Sequence, residues 1–155
     1  CGYIPRNTLT SSGKVNVRAL RIEWEHIVPA WEFGHQLQCW QNGGRKNCRK
    51  VSAKFRKMEA DINNLAPAIG EINADRSNYR FGMLSENATQ YGRCQVKVNF
   101  KQRVVEPPFY ARKRIADTYA YMQKTYGLKI SDKQQKLFDA WQKQAFADKS
   151  SASKL

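Results

Sequence analysis

The chain has 155 residues, enough for one domain with a real core. Its 41% hydrophobic content, with four Trp, seven Tyr and seven Phe, excludes intrinsic disorder, and no apolar run reaches the ~18 residues that a membrane span needs. Twenty-seven Lys and Arg against 13 Asp and Glu leave a formal charge of +14, which points to a polyanionic partner.

The excess charge is spread along the chain. Residues 1–50 carry eight cations against three acids, residues 51–100 seven against five, and residues 101–155 twelve against five. The folded body must therefore bear it. Nucleic acid, an anionic membrane surface and a heparin-like polymer are the partner classes such a field attracts. The first residues, CGYIPRNTLTSSGK, hold no apolar signal-peptide core. Four cysteines, Cys1, Cys39, Cys48 and Cys94, lack the CxxC pairs of a zinc ribbon. Three disulfide connectivities are open to them. Cys39–Cys48 closes a short loop containing Gly43-Gly44 and is the most natural, which leaves Cys1–Cys94; four reduced thiols are the alternative. Bridged cysteines place the chain in an oxidising compartment, periplasmic or secreted. Asn87-Ala88-Thr89 has the form of a glycosylation sequon.

Residues 1–14 read as an extended arm rich in turn formers. Residues 15–28, VNVRALRIEWEHIV, alternate with period two: Leu20, Ile22, Trp24 and Val28 share one parity, Arg21, Glu23 and Glu25 the other. That pattern predicts a half-buried strand with its apolar parity inward, closed off by Pro29. Residues 30–50 are basic and loop-like. Residues 53–65 predict a helix with Phe55, Met58, Ile62 and Leu65 on one face, interrupted by Pro67. GEINADRSNY at 70–79 reads as a short helix or turn, and QVKVNF at 95–100 as a strand with Val96, Val98 and Phe100 on one side. Pro107-Pro108 start a helix that runs to about Tyr126 along Ile115, Tyr119, Met122 and Tyr126, with Gly127 as its C-cap. Ser131-Asp132-Lys133-Gln134 form a capping box for a last helix faced by Leu137, Phe138, Trp141 and Ala145. Residues 148–155 are expected to fray. With no repeat and no linker, the prediction is a single mixed α+β domain over 1–155, with few strands and several helices.

The chemistry concentrates at Glu23-Trp24-Glu25-His26. His26 shares the parity of Leu20, Ile22, Trp24 and Val28, where a polar ring needs a hydrogen-bond partner, so a satisfied core histidine is one reading. The other is catalytic. Glu25 offers a hard oxygen to a divalent cation, and a neutral imidazole beside it takes a proton from water, the equipment of metal-assisted hydrolysis. Adjacent strand residues point to opposite faces, so the two meet one substrate only if the strand bends before Pro29. Glu71, Asn73, Asp75 and Asn78 offer further oxygen ligands, and Arg76 and Arg80 offer phosphate donors. A polar turn capped by its own Asn and Asp side chains is the alternative there. Arg45, Lys46, Arg49 and Lys50 form either a backbone-gripping loop or a solvated basic face. His35 is expected in packing or a loop hydrogen bond. Arg112, Lys113, Lys124, Lys133, Lys136 and Lys143, on the outer faces of the last two helices, widen the polyanion field.

Several motifs in one order then carry a resemblance. Glu25-His26-Ile27-Val28-Pro29-Ala30-Trp31, Phe33-Gly34-His35-Gln36, Gln38-Cys39-Trp40, Gly43-Gly44-Arg45-Lys46-Asn47-Cys48, Asn64-Leu65-Ala66-Pro67 and Gly70-Glu71-Ile72-Asn73-Ala74-Asp75-Arg76-Ser77-Asn78-Tyr79 follow one another, continuing through QYGRCQVKV and PPFYARKRIADTYAYMQKTYGL. Together they resemble the bacterial endonuclease I family over nearly the whole chain. The resemblance implies a ββα-metal (His-Me finger) motif and a periplasmic or secreted, sequence-nonspecific endonuclease. Its substrates would be double- and single-stranded DNA and RNA, cut to leave 5′-phosphates. Carried over by position, Glu25 and Asn73 hold one Mg²⁺, with Mn²⁺ or Ca²⁺ as substitutes, and His26 is the general base. Arg45 would hold the charge of the scissile phosphate; from their own chemistry Arg45, Lys46, Arg49, Lys50 and Arg76 are the candidate nucleic-acid contacts. Asn63, Asn64 and Asn78 are the alternatives to Asn73. Some members of the family bury a halide ion. The chain is expected to act as a monomer without membrane insertion. A noncatalytic basic nucleic-acid-binding module would need the cations but not Glu25, His26 and Asn73. A membrane-disturbing toxin would need the apolar face of the last helix, which the core also requires.

Overall fold

A computed structural model of the chain describes residues 1–87 and 89–152, with side chains in the last helix described as far as Gln144. In chain order, a 3₁₀ turn (Val17–Leu20) leads to β1 (Ile22–His26), α1 (Ala30–Gly34), α2 (Gln38–Gln41), α3 (Gly44–Val51) and α4 (Ala53–Ala60). A second 3₁₀ turn (Ile62–Asn64) precedes β2 (Leu65–Ile69), α5 (Gly70–Arg76), β3 (Arg80–Phe81), β4 (Lys97–Asn99), β5 (Val104–Glu106), α6 (Phe109–Tyr126) and α7 (Asp132–Ala152). The class is α+β, as the sequence predicts. The elements gather into two compact units, one from Cys1–His26 with Leu65–Phe109, the other from Ile27–Asn64 with Tyr110–Leu155.

In the first unit β1 and β2 pair antiparallel, with Trp24 opposite Pro67, Glu25 opposite Ala66 and His26 opposite Leu65. Pro67 has no N–H to donate, and it is tolerated because among the described residues β2 pairs with no strand other than β1. α5 starts directly after β2, so β1, β2 and α5 form a ββα unit. A second sheet has the order β3-β5-β4, with β3 parallel and β4 antiparallel to β5. Phe81, Tyr91, Cys94, Val98, Val104 and Val105 are buried around it. The N-terminal arm is held by a Cys1–Cys94 disulfide and by a bridge between Tyr3 and Gly92.

The expected strand over 15–28 is corrected in two ways. Residues 17–20 coil into a 3₁₀ turn, and only Ile22–His26 is extended. The faces are also inverted. Leu20 is 74% exposed and Ile22 and Trp24 are each 65% exposed, whereas Glu23 and Glu25 are half-buried. The cause lies outside the strand: α5 brings Asn73 and Arg76 to the acidic parity, and arginine pairing compensates both carboxylates there. An apolar parity therefore faces outward. The expected helix over 53–65 is shorter as well. Ser52 Oγ caps α4 by accepting from Phe55 N at 3.1 Å, but the chain turns extended at Asp61, whose carboxylate accepts from Asn63 N at 2.9 Å. Ile62, placed on the buried face by helical spacing, is 71% exposed.

In the second unit Phe33, Phe55 and Met58 are buried, as are Ile115, Tyr119, Met122, Phe138 and Trp141 from α6 and α7. Gly127 ends α6 at φ +71° and donates to Gln123 O at 2.9 Å, and Ser131 Oγ accepts from Gln134 N at the start of α7. Residues 30–50 are not a loop: they fold into α1, α2 and α3, with a Cys39–Cys48 disulfide joining α2 to α3. Helices of four to eight residues are too short to show periodicity. α7 continues through Ala152. Residues 153–155, the Ala145 side chain and Ala88 of the sequon lie outside the described residues. Among the described residues no helix is long and apolar enough to cross a membrane.

Candidate active site

The ββα unit places two acids of β1 against two polar residues of α5. Asn73 and Arg76, three apart, share a helix face; Glu23 and Glu25, two apart, share a strand face. Asn73 Nδ2 donates to Glu23 Oε2 at 3.0 Å, and Arg76 Nη1 donates to Glu25 Oε1 at 2.9 Å. Asn73 thus contacts Glu23, not the Glu25 with which it was expected to share a metal. Glu23 is also gripped by Nε and Nη2 of Arg18 and by Arg21 Nε at 2.8 Å. Hydrogen bonds from Arg18 first, then Arg21 and Asn73, outweigh its burial and hold its pKa down to about 2.

Arg76 requires a correction. Expected to contact nucleic acid, it is only 2% exposed, and Nη1 bonds both Glu25 and the His26 carbonyl oxygen, the latter at 2.7 Å. Its guanidinium lies over the Phe81 ring, 4.5 Å from the centroid. Arg76 therefore braces β1 from within. A buried cation needs a carboxylate close by, and Glu25 supplies it. Arg80, the other expected phosphate donor, is exposed and donates to Gln102 O.

His26 closes β1. In the second unit Ile27 N bonds Asn64 O at 2.9 Å, and the fully buried Asn64 side chain accepts from Val28 N and donates to Val28 O. The backbone is therefore fixed immediately after the histidine. These bonds also use up Asn64. Asn63 donates to Asp61, and Asn78 Oδ1 accepts from Arg103 Nη2 at 2.8 Å. Asn73 differs: its Nδ2 is engaged, while its Oδ1 accepts no hydrogen bond from a described residue. Glu25 is similar, with Oε1 on Arg76 and no donor on Oε2 among the described residues.

Glu71 and Asp75, the other oxygen ligands offered by the sequence, face the N-terminal arm instead. Glu71 is 2% exposed and accepts from Tyr3 Oη at 2.5 Å, Arg6 N at 2.9 Å and Asn7 N at 2.7 Å. Asp75 takes two bonds from Arg6 and one from Tyr91 Oη. Burial, then Asp75, raises the Tyr91 pKa, so the phenol stays protonated as donor. Among the described residues no group of three or more His, Cys, Asp and Glu side chains is placed to hold a metal. Mg²⁺ does not require one, since one or two protein oxygens plus water and substrate phosphate satisfy it. The Glu25 and Asn73 oxygens without donors are of that hard kind and fit such an ion.

In the second unit α3 carries the cations expected of a loop. Arg45 Nε and Arg49 Nε bond the two oxygens of Glu59 on α4, at 2.6 and 2.7 Å. Burial raises the Glu59 pKa, but the two arginines outweigh it and the net shift is downward. Lys46 and Lys50 are exposed on the same helix. His35 stacks on Trp31 at 4.1 Å, with Nδ1 at 2.8 Å from Trp31 O, a local packing role. Arg112, expected on an outer face, lies over the Trp141 ring. Glu23 and Glu59, which bond Asn73 and the two arginines of α3, are not among the site residues that the sequence singled out. For Glu23 a signal existed: it shares parity with Glu25 and is flanked by Arg18 and Arg21. For Glu59 there was none.

A family model described as Endonuclease I matches residues 1–152. A "Periplasmic deoxyribonuclease" of Aeromonas hydrophila is 56% identical over 150 residues, covering 96% of this chain and 60% of the relative. An "Extracellular deoxyribonuclease" of the same organism is 55% identical over 150 residues, covering 96% and 62%. An "Endonuclease-1" of Buchnera aphidicola subsp. Acyrthosiphon pisum is 52% identical over 143 residues, covering 92% and 54%. The chain thus spans a little over half the length of the curated relatives it matches.

Proposed function

Because this chain belongs to the endonuclease I family, we propose that it is a sequence-nonspecific endonuclease of the periplasm or extracellular space. It would cut phosphodiester bonds in DNA and RNA, leave 5′-phosphate ends and act as a monomer over residues 1–155. The observation that carries this reading is the pair of carboxamide and carboxylate oxygens, Asn73 Oδ1 and Glu25 Oε2, that meet no donor among the described residues, on side chains whose other polar atoms are fixed.

These two oxygens would hold Mg²⁺, with Mn²⁺ or Ca²⁺ as substitutes, and the ion when bound supplies positive charge to the phosphate and the leaving oxygen. Arg76 Nη1, bonded to Oε1, holds the Glu25 carboxylate in place. His26 in its neutral form accepts the proton of the attacking water, a contribution of typically 10²–10⁴-fold. Fixing the chain at Ile27 and Val28 limits the positions its backbone can take. The α3 cations bind backbone phosphates, with Arg45 proposed for the scissile one and its guanidinium oriented by Glu59. Backbone contacts carry no sequence information, which suits a nonspecific enzyme.

Supercoiled plasmid incubated with Mg²⁺ should be nicked and then degraded, EDTA should stop this, and restored Mg²⁺ should revive it. His26→Ala should cut at least about 100-fold more slowly yet still shift DNA in a gel. DNA binding under every condition with no cutting under any would instead make the chain a noncatalytic basic binding module.

A further inference from the structure

We propose that Glu23 is a positioning residue for the metal site: it sets which end of the Asn73 carboxamide faces the ion. The inference rests on Asn73 being a metal ligand, as read above. A carboxamide presents an acceptor oxygen at one end and a donor nitrogen at the other, and only the oxygen ligates a hard cation. Rotation by half a turn would present the wrong end. An ionised carboxylate accepts hydrogen bonds and cannot donate them. Glu23 Oε2 at 3.0 Å therefore binds Nδ2 and repels Oδ1, which leaves the oxygen on the opposite side of the carboxamide.

Two further observations show that Glu23 is built into this place. Its carboxylate is locked by Arg18, through Nε at 2.9 Å and Nη2, and by Arg21 Nε at 2.8 Å, and its side chain is only 15% exposed. The first residue of α5, Gly70, makes room for it. A Cβ at position 70 would lie 2.6 Å from Arg18 O and 3.0 Å from both Glu23 Cδ and Oε1. The missing side chain lets the first turn of α5 settle onto the Glu23 carboxylate, one turn before Asn73. Partners that orient metal ligands typically tune affinity by 10–100-fold.

The test is a swap of donor and acceptor, read as Mn²⁺ affinity by calorimetry on the purified chain without nucleic acid. Asn73→Asp adds a negative charge, which by Coulomb attraction alone would tighten binding. It also sets two acceptor-only groups face to face, so the expected result is at least tenfold weaker binding. Glu23→Gln combined with Asn73→Asp restores a donor–acceptor pair with the polarity reversed, and should bind at least tenfold more tightly than Asn73→Asp alone. Glu23→Ala should bind about 10–100-fold more weakly than the wild type. If Glu23→Ala fails to fold, the near-isosteric double variant still decides. The proposal is overturned if Glu23→Gln changes affinity by the same factor whether position 73 is Asn or Asp. It is also overturned if Asn73→Asp binds as tightly as the wild type. Should Asn73→Ala leave Mn²⁺ affinity untouched while Glu25→Ala removes it, the assignment of Asn73 as ligand falls, and this inference with it.

Discussion

At the scale of single residues, the centre of the site is a pair of exchanges between strand and helix: Glu23 with Asn73, Glu25 with Arg76. Arg76→Met should lower stability by about 3 kcal/mol, the low end for breaking a buried pair because Glu25 keeps 19% exposure. Chemical unfolding measures this, and the salt dependence of DNA binding should not change. A smaller salt slope without loss of stability would make Arg76 a phosphate contact. Glu23 gives a pH signature. Its folded pKa of about 2 lies below its ordinary 4.5, so the ionised form is favoured by folding. The stabilisation is complete above pH 4.5 and is lost as pH falls toward 2. Unfolding followed across that window should show the wild type losing more stability than Glu23→Gln; parallel curves would contradict the arginine clamp.

Single elements explain what the sequence revealed and what it hid. The alternation over 21–26 shows which residues share a face, and Glu25-His26 stands out as a candidate because a carboxylate beside an imidazole is the equipment of metal-assisted hydrolysis. Which face is covered is not legible. That depends on α5, some fifty residues later, and the apolar parity of Leu20, Ile22 and Trp24 ends up outward. α6 and α7 were readable because 18 and 21 residues display a full helical period and carry their own caps. α1, α2 and α3 are too short for that, and β2 hides behind Pro67, whose place in a strand requires knowing that it is an edge. α3 has a testable role. Lys46→Ala and Lys50→Ala should each reduce the slope of log affinity against log salt by about one. Fluorescence anisotropy on a short duplex gives the slope; an unchanged value places α3 off the nucleic-acid path.

For the whole molecule, the +14 charge is carried by both compact units, and long-range attraction to polyanions belongs to the chain rather than to any one element. Family membership was legible because many short motifs occur in order, whereas the contacts that orient Asn73 and Glu25 depend on tertiary packing that no motif records. In the proposed reaction His26, at the end of β1, removes a proton from water at a phosphodiester. The most direct measurement is the single-turnover rate of plasmid cleavage across pH, for the wild type and for His26→Ala with and without added imidazole. The wild-type rate should fall as pH drops through the imidazole range near about 6.5. The variant should be at least about 100-fold slower, with partial recovery when imidazole is supplied. A variant that cleaves at the wild-type rate with the wild-type pH profile would contradict the account.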